Sequence, residues 1–289
     1  MKFSASSTEL QKLLGTIGGV IPSKSTLPIL ENFLFQVTKD LLRITATDLD
    51  TSMSVSMKVK SAQDGVIAVP AKRLFETVRS LPSTDVVFAA DESNNRIIMS
   101  TSNGEYKLTG ESSENYPAIP SFKGNDEMEI ENDTLRRLIS KTAFAVSSDE
   151  LRPAMMGILF QIKKNEVRVA ATDGHRLVRL ITKNFSTKKM ERDFIIPAKA
   201  LNLVLKSAND ATTTIAFNDT HAMFSFGDSM LMSRLIEEKY PNYESVIPLD
   251  NEKKLIVDKN QLLSSVRRTS LYASSTTHQV RSISSALTA

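Results

Sequence analysis

Apolar residues recur along this chain with two periods, one typical of helices and one typical of strands. Leu10, Leu13 and Leu14 have the three- and four-residue spacing of one helix face. They predict a helix over Thr8–Ile17. Over Thr51–Val59, apolar and polar residues alternate one by one, which predicts a strand with one buried face. The chain therefore combines short amphipathic helices with alternating strands.

The same patterns predict two series of elements that follow one another in the same order. The first series comprises helices Thr8–Ile17 and Ala71–Leu81 and strands Asn32–Thr38, Leu41–Thr47, Thr51–Val59, Val66–Val69, Asp85–Ala89, Arg96–Thr101 and Glu105–Thr109. The second comprises helices Asp133–Val146 and Ala198–Ser207 and strands Ile158–Ile162, Glu166–Ala171, Arg176–Ile181, Thr213–Phe217, Ala222–Phe226 and Leu231–Leu235. The predicted fold class is α+β, with antiparallel sheets covered on one face by helices.

The second series also repeats the residues of the first. Leu42–Asp48 returns as Val167–Asp173, 125 residues further on, and Phe35–Val37 returns as Phe160–Ile162 at the same distance. A period of this length is far larger than a solenoid unit of about 20–50 residues and has the size of a whole domain. The chain therefore contains a duplicated domain.

A third copy begins near the end of the chain with a predicted helix, Lys259–Tyr272. Thr142–Ser148 is echoed by Thr269–Ser275, 127 residues further on, but the pattern stops after Arg281. The predicted boundaries are residues 1–121 for the first domain, 127–248 for the second and 253–289 for the incomplete start of a third, with links at Ser121–Asn125 and Pro248–Glu252.

Composition narrows the class of protein. The chain has no cysteine, which excludes disulfides, thiolate metal sites and cysteine nucleophiles. No apolar run approaches the ~20 residues that span a membrane, and the N-terminus lacks the apolar core of a signal peptide. We therefore expect a cytoplasmic protein.

The distribution of charged residues along the chain is more informative than the net charge, which is only +3. The predicted helices carry many cations, and their interiors hold only Glu9 and Glu76 as acids. The cations are Lys12, Lys72, Arg73, Arg79, Arg136, Arg137, Lys141, Lys199, Lys206, Arg267 and Arg268. Lys and Arg solvate many helix faces, but here five equivalent helices share the bias. We therefore favour a continuous positive surface that contacts a polyanion.

The motifs that carry catalysis are absent from the sequence. It has no nucleophile elbow, no glycine-rich phosphate loop and no paired-histidine metal motif, and we expect no cofactor. The segment Asp173–Arg176 places a histidine near an acid, but Asp48 occupies the same place in the first copy without one. A turn held by the aspartate explains both. With no tryptophan and 6% aromatic residues, base stacking on single strands is disfavoured, and phosphate contacts to duplex DNA are favoured.

Six segments carry a family resemblance. They are Thr26–Leu30, Ala46–Asp48, Val69–Ala71, Phe144–Ser147, Ala171–Leu177 and Tyr240–Tyr243. In this order they resemble the β sliding clamp of bacterial replicative DNA polymerase, its processivity subunit. The resemblance runs from Met1 to about Arg281, and Ala171–Leu177 together with the repeat is its most specific part.

The resemblance implies a DNA-clamp fold in which three-domain chains pair head to tail into a closed ring of six similar domains. Helices line the hole and face duplex DNA. The implied DNA-binding residues are Lys12, Lys24, Arg73, Arg79, Arg137, Lys141, Lys199 and Lys206. The resemblance also implies that the protein has no catalytic residue and tethers a DNA-directed DNA polymerase to its template.

The resemblance further implies a pocket between the second and third domains. There the polymerase catalytic subunit, the clamp loader and repair proteins dock short peptides. The matching residues are Met155, Thr172, Gly174, His175, Arg176, Leu177, Pro241 and Val246. Thr172 and Leu177 are expected to line the pocket, and Arg176 to guide a polar part of the peptide. Met155 and Leu177 could instead be ordinary core residues, and we favour the pocket.

The chain departs from the family in its third domain, which should continue for about another ninety residues by the repeat length. That domain supplies half of the dimer contact and one wall of the peptide pocket. Three functions therefore compete: a sliding clamp, a truncated clamp that retains only weak peptide or DNA binding, and an enzyme on a duplicated domain. The third is disfavoured because neither copy holds a set of catalytic groups.

We predict that the chain as it stands does not form a stable closed ring, since the repeat pattern is lost after Arg281. Multi-angle light scattering on the purified chain measures this directly. A stable dimer with the shape of a full ring would contradict the prediction.

Overall fold

The computed structural model describes residues 1–119, 122–124, 126–183, 191–208, 210–252 and 255–281. These form two compact units, Met1–Pro241 and Asn242–Ala289, which are described separately. The predicted link Ser121–Asn125 lies partly outside the described residues, as does the predicted start of a third domain at residues 253–254. Residues 282–289, where the repeat pattern is lost, also lie outside them.

The first copy contains nine strands and two helices among the described residues. They are β1 (Lys2–Ser6), α1 (Ser7–Ile17), β2 (Asn32–Thr38), β3 (Leu41–Thr47), β4 (Thr51–Lys58), β5 (Lys60–Gln63), β6 (Gly65–Pro70), α2 (Ala71–Ser80), β7 (Asp85–Asp91), β8 (Arg96–Thr101) and β9 (Gly104–Thr109). A short 3-10 turn, Pro28–Glu31, precedes β2.

The second copy has the same order of helices and one strand fewer within the described part of the chain. Its elements are β10 (Asp126–Glu131), α3 (Asn132–Ser140), β11 (Gly157–Lys163), β12 (Glu166–Thr172), β13 (Leu177–Lys183), β14 (Arg192–Pro197), α4 (Ala198–Ser207), β15 (Thr212–Phe217), β16 (His221–Phe226) and β17 (Ser229–Arg234). The predicted α+β class with antiparallel sheets is confirmed.

One sheet runs through both copies. Its eight strands have the order β10-β15-β16-β17-β4-β3-β2-β6, so β17 of the second copy pairs with β4 of the first. The first copy adds a five-stranded sheet, β5-β1-β7-β8-β9, and the second adds a four-stranded sheet, β13-β12-β11-β14. Each copy thus contributes one sheet of its own and half of a shared one.

The helices pack in pairs, α1 with α2 and α3 with α4, and each pair contacts strands of its own copy. In α1, Leu10, Leu14 and Ile17 are fully buried and form the apolar face that the sequence predicts. Two groups of aromatic rings fill the cores. In the first copy Phe88 stacks on both Phe3 and Phe35, and in the second Phe194 contacts both Phe160 and Phe217.

The predicted helix Asp133–Val146 is wrong at its C-terminal end, because α3 ends at Ser140. The hydroxyl of Thr142 donates to the backbone oxygens of Leu138, at 2.6 Å, and Ile139, at 3.3 Å. These bonds satisfy carbonyls that the next helical turn would otherwise use. The chain then forms a separate 3-10 turn, Ala143–Ala145.

Four strands of the structure, β1, β5, β10 and β14, were not predicted from the sequence. The clearest case is β10, in which four of the six residues are acidic. In the structure, Met128 and Ile130 are buried while Glu127 and Glu129 between them are exposed. This edge strand pairs with β15 along its whole length. Exposed carboxylates on an edge strand also discourage pairing with other chains.

The unit Asn242–Ala289 contains a 3-10 turn, Tyr243–Val246, and helix α5, Lys259–Ser270. The Asp258 side chain caps α5 by accepting from the backbone nitrogen of Gln261 at 2.8 Å. This helix was predicted over Lys259–Tyr272 and ends two residues earlier. Among the helices described here, none is long and apolar enough to cross a membrane.

Candidate functional sites

The candidate DNA-binding cations all lie on or beside the helices of the first unit. Lys12 is on α1, Arg73 and Arg79 are on α2, Arg137 is on α3, Lys141 follows α3, Lys199 and Lys206 are on α4, and Lys24 lies in the loop after α1. All eight side chains belong to exposed residues. The apolar sides of these helices are buried, so their cations point to solvent.

The helix pairs of the two copies adjoin at α1 and α4. Gly19, just after α1, approaches Leu203 of α4 so closely that a Cβ on the glycine would lie 2.7 Å from the leucine Cδ2 atom. The Lys199 side chain forms an ion pair with Asp48 of the first copy. The basic residues of α1 and α4 therefore belong to neighbouring parts of one surface.

The ion pair sets Lys199 apart from the other candidates, because Asp48 compensates its charge. Arg137 donates to the Thr182 hydroxyl at 3.1 Å, a neutral partner that leaves its charge available. The others have no ion-pair partner within the part of the chain that the structure describes. These free cations are Lys12, Lys24, Arg73, Arg79, Lys141 and Lys206.

The candidate peptide pocket centres on the turn between β12 and β13. The Asp173 Oδ1 atom accepts from the backbone nitrogens of His175 and Arg176, both at 2.9 Å. The Thr172 hydroxyl accepts from the Gly174 nitrogen at 3.1 Å and donates to the Arg176 carbonyl at 2.8 Å. Two side chains therefore hold three backbone nitrogens and one carbonyl of this turn in place.

The first copy contains the same turn with other residues. The Asp48 Oδ1 atom accepts from the nitrogens of Asp50 and Thr51, and the Thr47 hydroxyl accepts from Leu49. Leu49 has a φ of 81° and Gly174 a φ of 90°, so the left-handed residue occupies one position in both copies. The shared aspartate therefore has the turn-holding role that the sequence analysis favoured over catalysis.

The hydrogen bonds of this turn determine the charge state of Asp173. The Arg176 and His175 backbone N–H groups, with the Arg176 side chain, lower the pKa of Asp173 to about 2. The Arg176 Nε atom donates to Asp173 Oδ2 at 2.8 Å, and its guanidinium lies 5.8 Å from the centre of the Phe144 ring. Arg176 is thus held by a carboxylate and an aromatic face.

A cleft of about 330 Å³ lies beside this turn. It brings together Asp173, His175 and Arg176 with residues that the sequence analysis did not single out, namely Val146, Ser147, Ser148, Asp149 and Arg152. Asp149 and Arg152 form an ion pair at 3.3 Å. The sequence signal for this wall of the cleft was the family-like segment Phe144–Ser147, which contains Val146 and Ser147 and is followed at once by Ser148 and Asp149.

The remaining pocket candidates lie elsewhere. Met155 and Leu177 are half-buried, and the Met155 carbonyl accepts from the Ser147 nitrogen at 2.9 Å next to the cleft. Pro241 is half-buried at the end of the first unit. Val246 belongs to the second unit, where it is exposed. Of the predicted set, only His175 and Arg176 line this cleft.

Two tyrosines at equivalent places in the two copies, Tyr116 and Tyr240, anchor the turns. The Tyr240 hydroxyl accepts from the Thr172 nitrogen at 3.0 Å, and the Tyr116 hydroxyl accepts a backbone hydrogen bond from Thr47. Burial raises the pKa of Tyr116 above its ordinary value, so its hydroxyl stays protonated. Tyr116 also donates to the carbonyls of Asn32 and Thr45.

Comparisons with known proteins match both domain copies. A family model for the N-terminal domain of the DNA polymerase III beta subunit matches residues 1–120, and one for its central domain matches residues 129–242. The beta sliding clamp of Chlamydia muridarum is 28% identical over 282 residues, which cover 97% of this chain and 77% of the relative.

Solved structures give the same result. The sliding clamp of Bartonella birtlesii, bound to griselimycin, has a TM-score of 0.89 and 30% identity over 96% of this chain and 76% of its own. The sliding clamp of Bacillus subtilis has a TM-score of 0.90 and 27% identity over 95% of this chain and 75% of its own. The chain thus spans about three quarters of each relative.

Duplicated domains, a shared sheet and basic helices define a DNA clamp, a class of protein that holds polymerases on their template. The chain belongs to the family of the DNA polymerase III beta subunit, the bacterial sliding clamp. Its function is that of a DNA sliding clamp in replication, as the sequence analysis predicted.

We predict that the β12–β13 turn loosens in acid. The pKa of Asp173 is about 2 in the folded protein, against about 3.9 in an unfolded chain. The stabilisation of the folded turn by the Asp173 carboxylate is therefore fully present above about pH 4 and is lost as the pH falls towards 2. An NMR titration of the Asp173 carboxyl carbon measures its pKa, and amide hydrogen exchange at His175 and Arg176 measures how readily the turn opens. In Asp173→Asn this pH dependence should vanish, and a wild-type midpoint near 4 would contradict the prediction.

Proposed function

We propose that the exposed cations on α1 to α4 form the surface that faces duplex DNA in this clamp. The observation that carries the proposal is that most of these cations, among them Lys12, Arg73, Arg79 and Lys206, have no ion-pair partner among the described residues, while the apolar sides of the same helices are buried. Phosphates repeat along DNA regardless of sequence, so cations spread over several helices attract the duplex without fixing a position. Such contacts let the protein slide.

Lys199 is expected to contribute less to DNA binding than the other cations of this surface. Its ion pair with Asp48 joins α4 of the second copy to a turn of the first. A cation that already contacts a carboxylate gains less from a phosphate, because the ion pair must first be broken. We therefore assign Lys199 mainly to the alignment of the two copies, with a smaller share in DNA binding.

Partner peptides are proposed to dock beside the β12–β13 turn. Supporting this, a cleft lies next to the turn, and the apolar side chains of Met155 and Leu177 are half-buried close to it in the chain. Arg176 is paired with Asp173, so a peptide carboxylate has to compete with that pair. Apolar anchors therefore carry most of the affinity, and the polar rim contributes specificity. The partners in this proposal are the polymerase catalytic subunit, the clamp loader and repair proteins.

The remaining parts of the proposal rest on the family. The protein acts in the cytoplasm as a non-catalytic processivity subunit, and no group of three potential metal ligands occurs among the residues described. Its domains are residues 1–121, 127–248 and 253–289. A head-to-tail homodimer is the family assembly, and a clamp fragment with weak DNA or peptide binding is the alternative for this chain.

We predict that reversing the charge of Arg137, Lys141, Lys199 and Lys206 weakens association with duplex DNA by at least about tenfold at low salt. Each lost phosphate contact makes the fall of log affinity with log salt concentration less steep by about 0.9. Because Lys199 is already paired with Asp48, we count mainly the other three residues and expect the steepness to decrease by about 3. Fluorescence anisotropy with a labelled duplex over a salt series measures both quantities.

The matched control reverses four exposed cations outside the helices, Lys2, Lys39, Arg43 and Lys60, and changes the net charge by the same amount. This control should keep most of the affinity and slope. Equal losses of DNA affinity in both variants would show that only the net charge of the protein matters. Unchanged DNA affinity in the helix variant would show that the duplex binds to another surface.

We predict that Leu177→Ala and Met155→Ala each weaken binding of griselimycin by about tenfold, since each removes part of an apolar anchor. Griselimycin is the probe because two similar clamps contain it in their crystal structures. Isothermal titration calorimetry measures the affinity. Leu41→Ala, an exposed leucine on β3, is the control and should bind normally. Unchanged binding in both test variants would contradict the proposed pocket.

A further inference from the structure

The β12–β13 turn is held by a hydrogen bond from a residue far along the chain. β12 pairs with β11 as far as Ala170, two residues short of Thr172. Beyond that point the Tyr240 hydroxyl supplies the acceptor for the Thr172 nitrogen, at 3.0 Å, and both residues are buried. A buried hydrogen bond is costly to lose, because the freed donor has no water to bond. Tyr240 therefore extends the support that β11 gives to β12.

From Thr172 this support passes into the turn itself. The Thr172 hydroxyl accepts from the Gly174 nitrogen and donates to the Arg176 carbonyl. His175 and Arg176 line the cleft of about 330 Å³ beside the turn. Tyr240 is not part of the cleft lining, yet its hydrogen bond ends at the residue that orders two of the lining residues.

Tyr240 also adjoins a second part of the predicted pocket. Pro241 follows it directly in the chain and is half-buried at the end of the unit Met1–Pro241. The hydrogen bond from Thr172 to Tyr240 spans 68 residues of sequence. It therefore fastens the Pro241 end of this unit to the turn, and so it links two groups of candidate pocket residues.

The first copy contains the same kind of bond but does not depend on it alone. The Tyr116 hydroxyl accepts from the backbone at the end of β3. Two residues of the second copy hold the β3–β4 turn as well. Lys199 pairs with Asp48, and the Arg234 nitrogen donates to the Asp50 carbonyl at 2.8 Å. Because β4 also lies between β17 and β3, this turn keeps other ties when its tyrosine bond is lost.

The second turn has fewer ties to the rest of the fold. β13 lies at one end of the four-stranded sheet. Asp173 pairs with Arg176 of the same turn, so this ion pair adds no link to other elements. Arg176 also contacts the Phe144 ring, at 5.8 Å. Among the described residues, Tyr240 provides the one side-chain hydrogen bond that reaches Thr172–Arg176 from outside the β12–β13 hairpin.

We propose that Tyr240 is a positioning residue for partner docking. By holding Thr172, it keeps the turn and Pro241 in the arrangement that a partner peptide requires, and it acts through these residues rather than by touching the peptide. This inference rests on the proposed docking site, and the two can fail separately. Tyr116 provides the matched control, since it makes the equivalent bond in the copy whose turn has further ties.

The first experiment compares Tyr240→Phe with Tyr116→Phe in the full-length chain, because each change removes one buried hydroxyl and leaves the ring. Isothermal titration calorimetry measures griselimycin affinity, and urea unfolding measures stability. We expect Tyr240→Phe to weaken griselimycin binding by about fivefold, and Tyr116→Phe by less than about twofold. Both variants should unfold at lower urea concentration than the wild type. Stability and binding therefore separate in Tyr116→Phe and not in Tyr240→Phe.

Two results would overturn the proposal and leave the docking site standing. One is wild-type griselimycin affinity in Tyr240→Phe, and the other is equal weakening in both tyrosine variants, which would reflect a general loss of stability. The docking site itself is judged by Leu177→Ala and Met155→Ala. If both of these bind griselimycin normally, the site fails and the role of Tyr240 fails with it.

Amide hydrogen exchange tests the support of the turn without any ligand. The amides of Gly174 and His175 are bonded within the turn. In Tyr240→Phe both should exchange at least about tenfold faster than in the wild type, because local opening becomes easier. The equivalent amides of the first turn should change by less than about twofold in Tyr116→Phe. Unchanged exchange at Gly174 and His175 would overturn the proposal even if griselimycin binding were weakened.

Discussion

Backbone hydrogen bonding between β17 and β4 is the interaction on which the rest of this structure depends. It makes one eight-stranded sheet out of two domain copies, and it buries Leu231 and Met53 at the seam. Strand pairing fixes both distance and direction, because each hydrogen bond requires one register. A duplicated domain thus becomes a single body whose helix pairs adjoin.

The basic surface follows from this constraint. The seam brings α4 of the second copy next to the end of α1 in the first, where Gly19 leaves room for Leu203 and Lys199 meets Asp48. Charges that are far apart in the sequence therefore share one surface. Net charge alone, at +3, would not have indicated such a concentration of cations.

The sequence predicts most of this fold because equivalent elements can be predicted separately in the two copies and compared. The strands with strict alternation were found within two residues of their ends, and Ala198–Ser207 was found without error. β10 was missed because its acids outnumber its apolar residues, and α3 was predicted too long because a buried threonine hydroxyl ended it. The Lys199–Asp48 pair and the Tyr240–Thr172 bond join residues distant in sequence, so no local pattern could predict them.

The turns after β3 and β12 show how duplicated parts acquire separate tasks. Both keep the same aspartate and threonine bonds, and both require a left-handed residue at the same position. In the first copy a leucine occupies that position, whereas in the second Gly174 carries no side chain, and a Cβ there would lie 3.3 Å from Arg152 Nη1. Loss of one side chain thus leaves space beside an otherwise identical scaffold. One scaffold thus borders a cleft in the second copy, and in the first copy its aspartate holds Lys199 of the neighbouring domain.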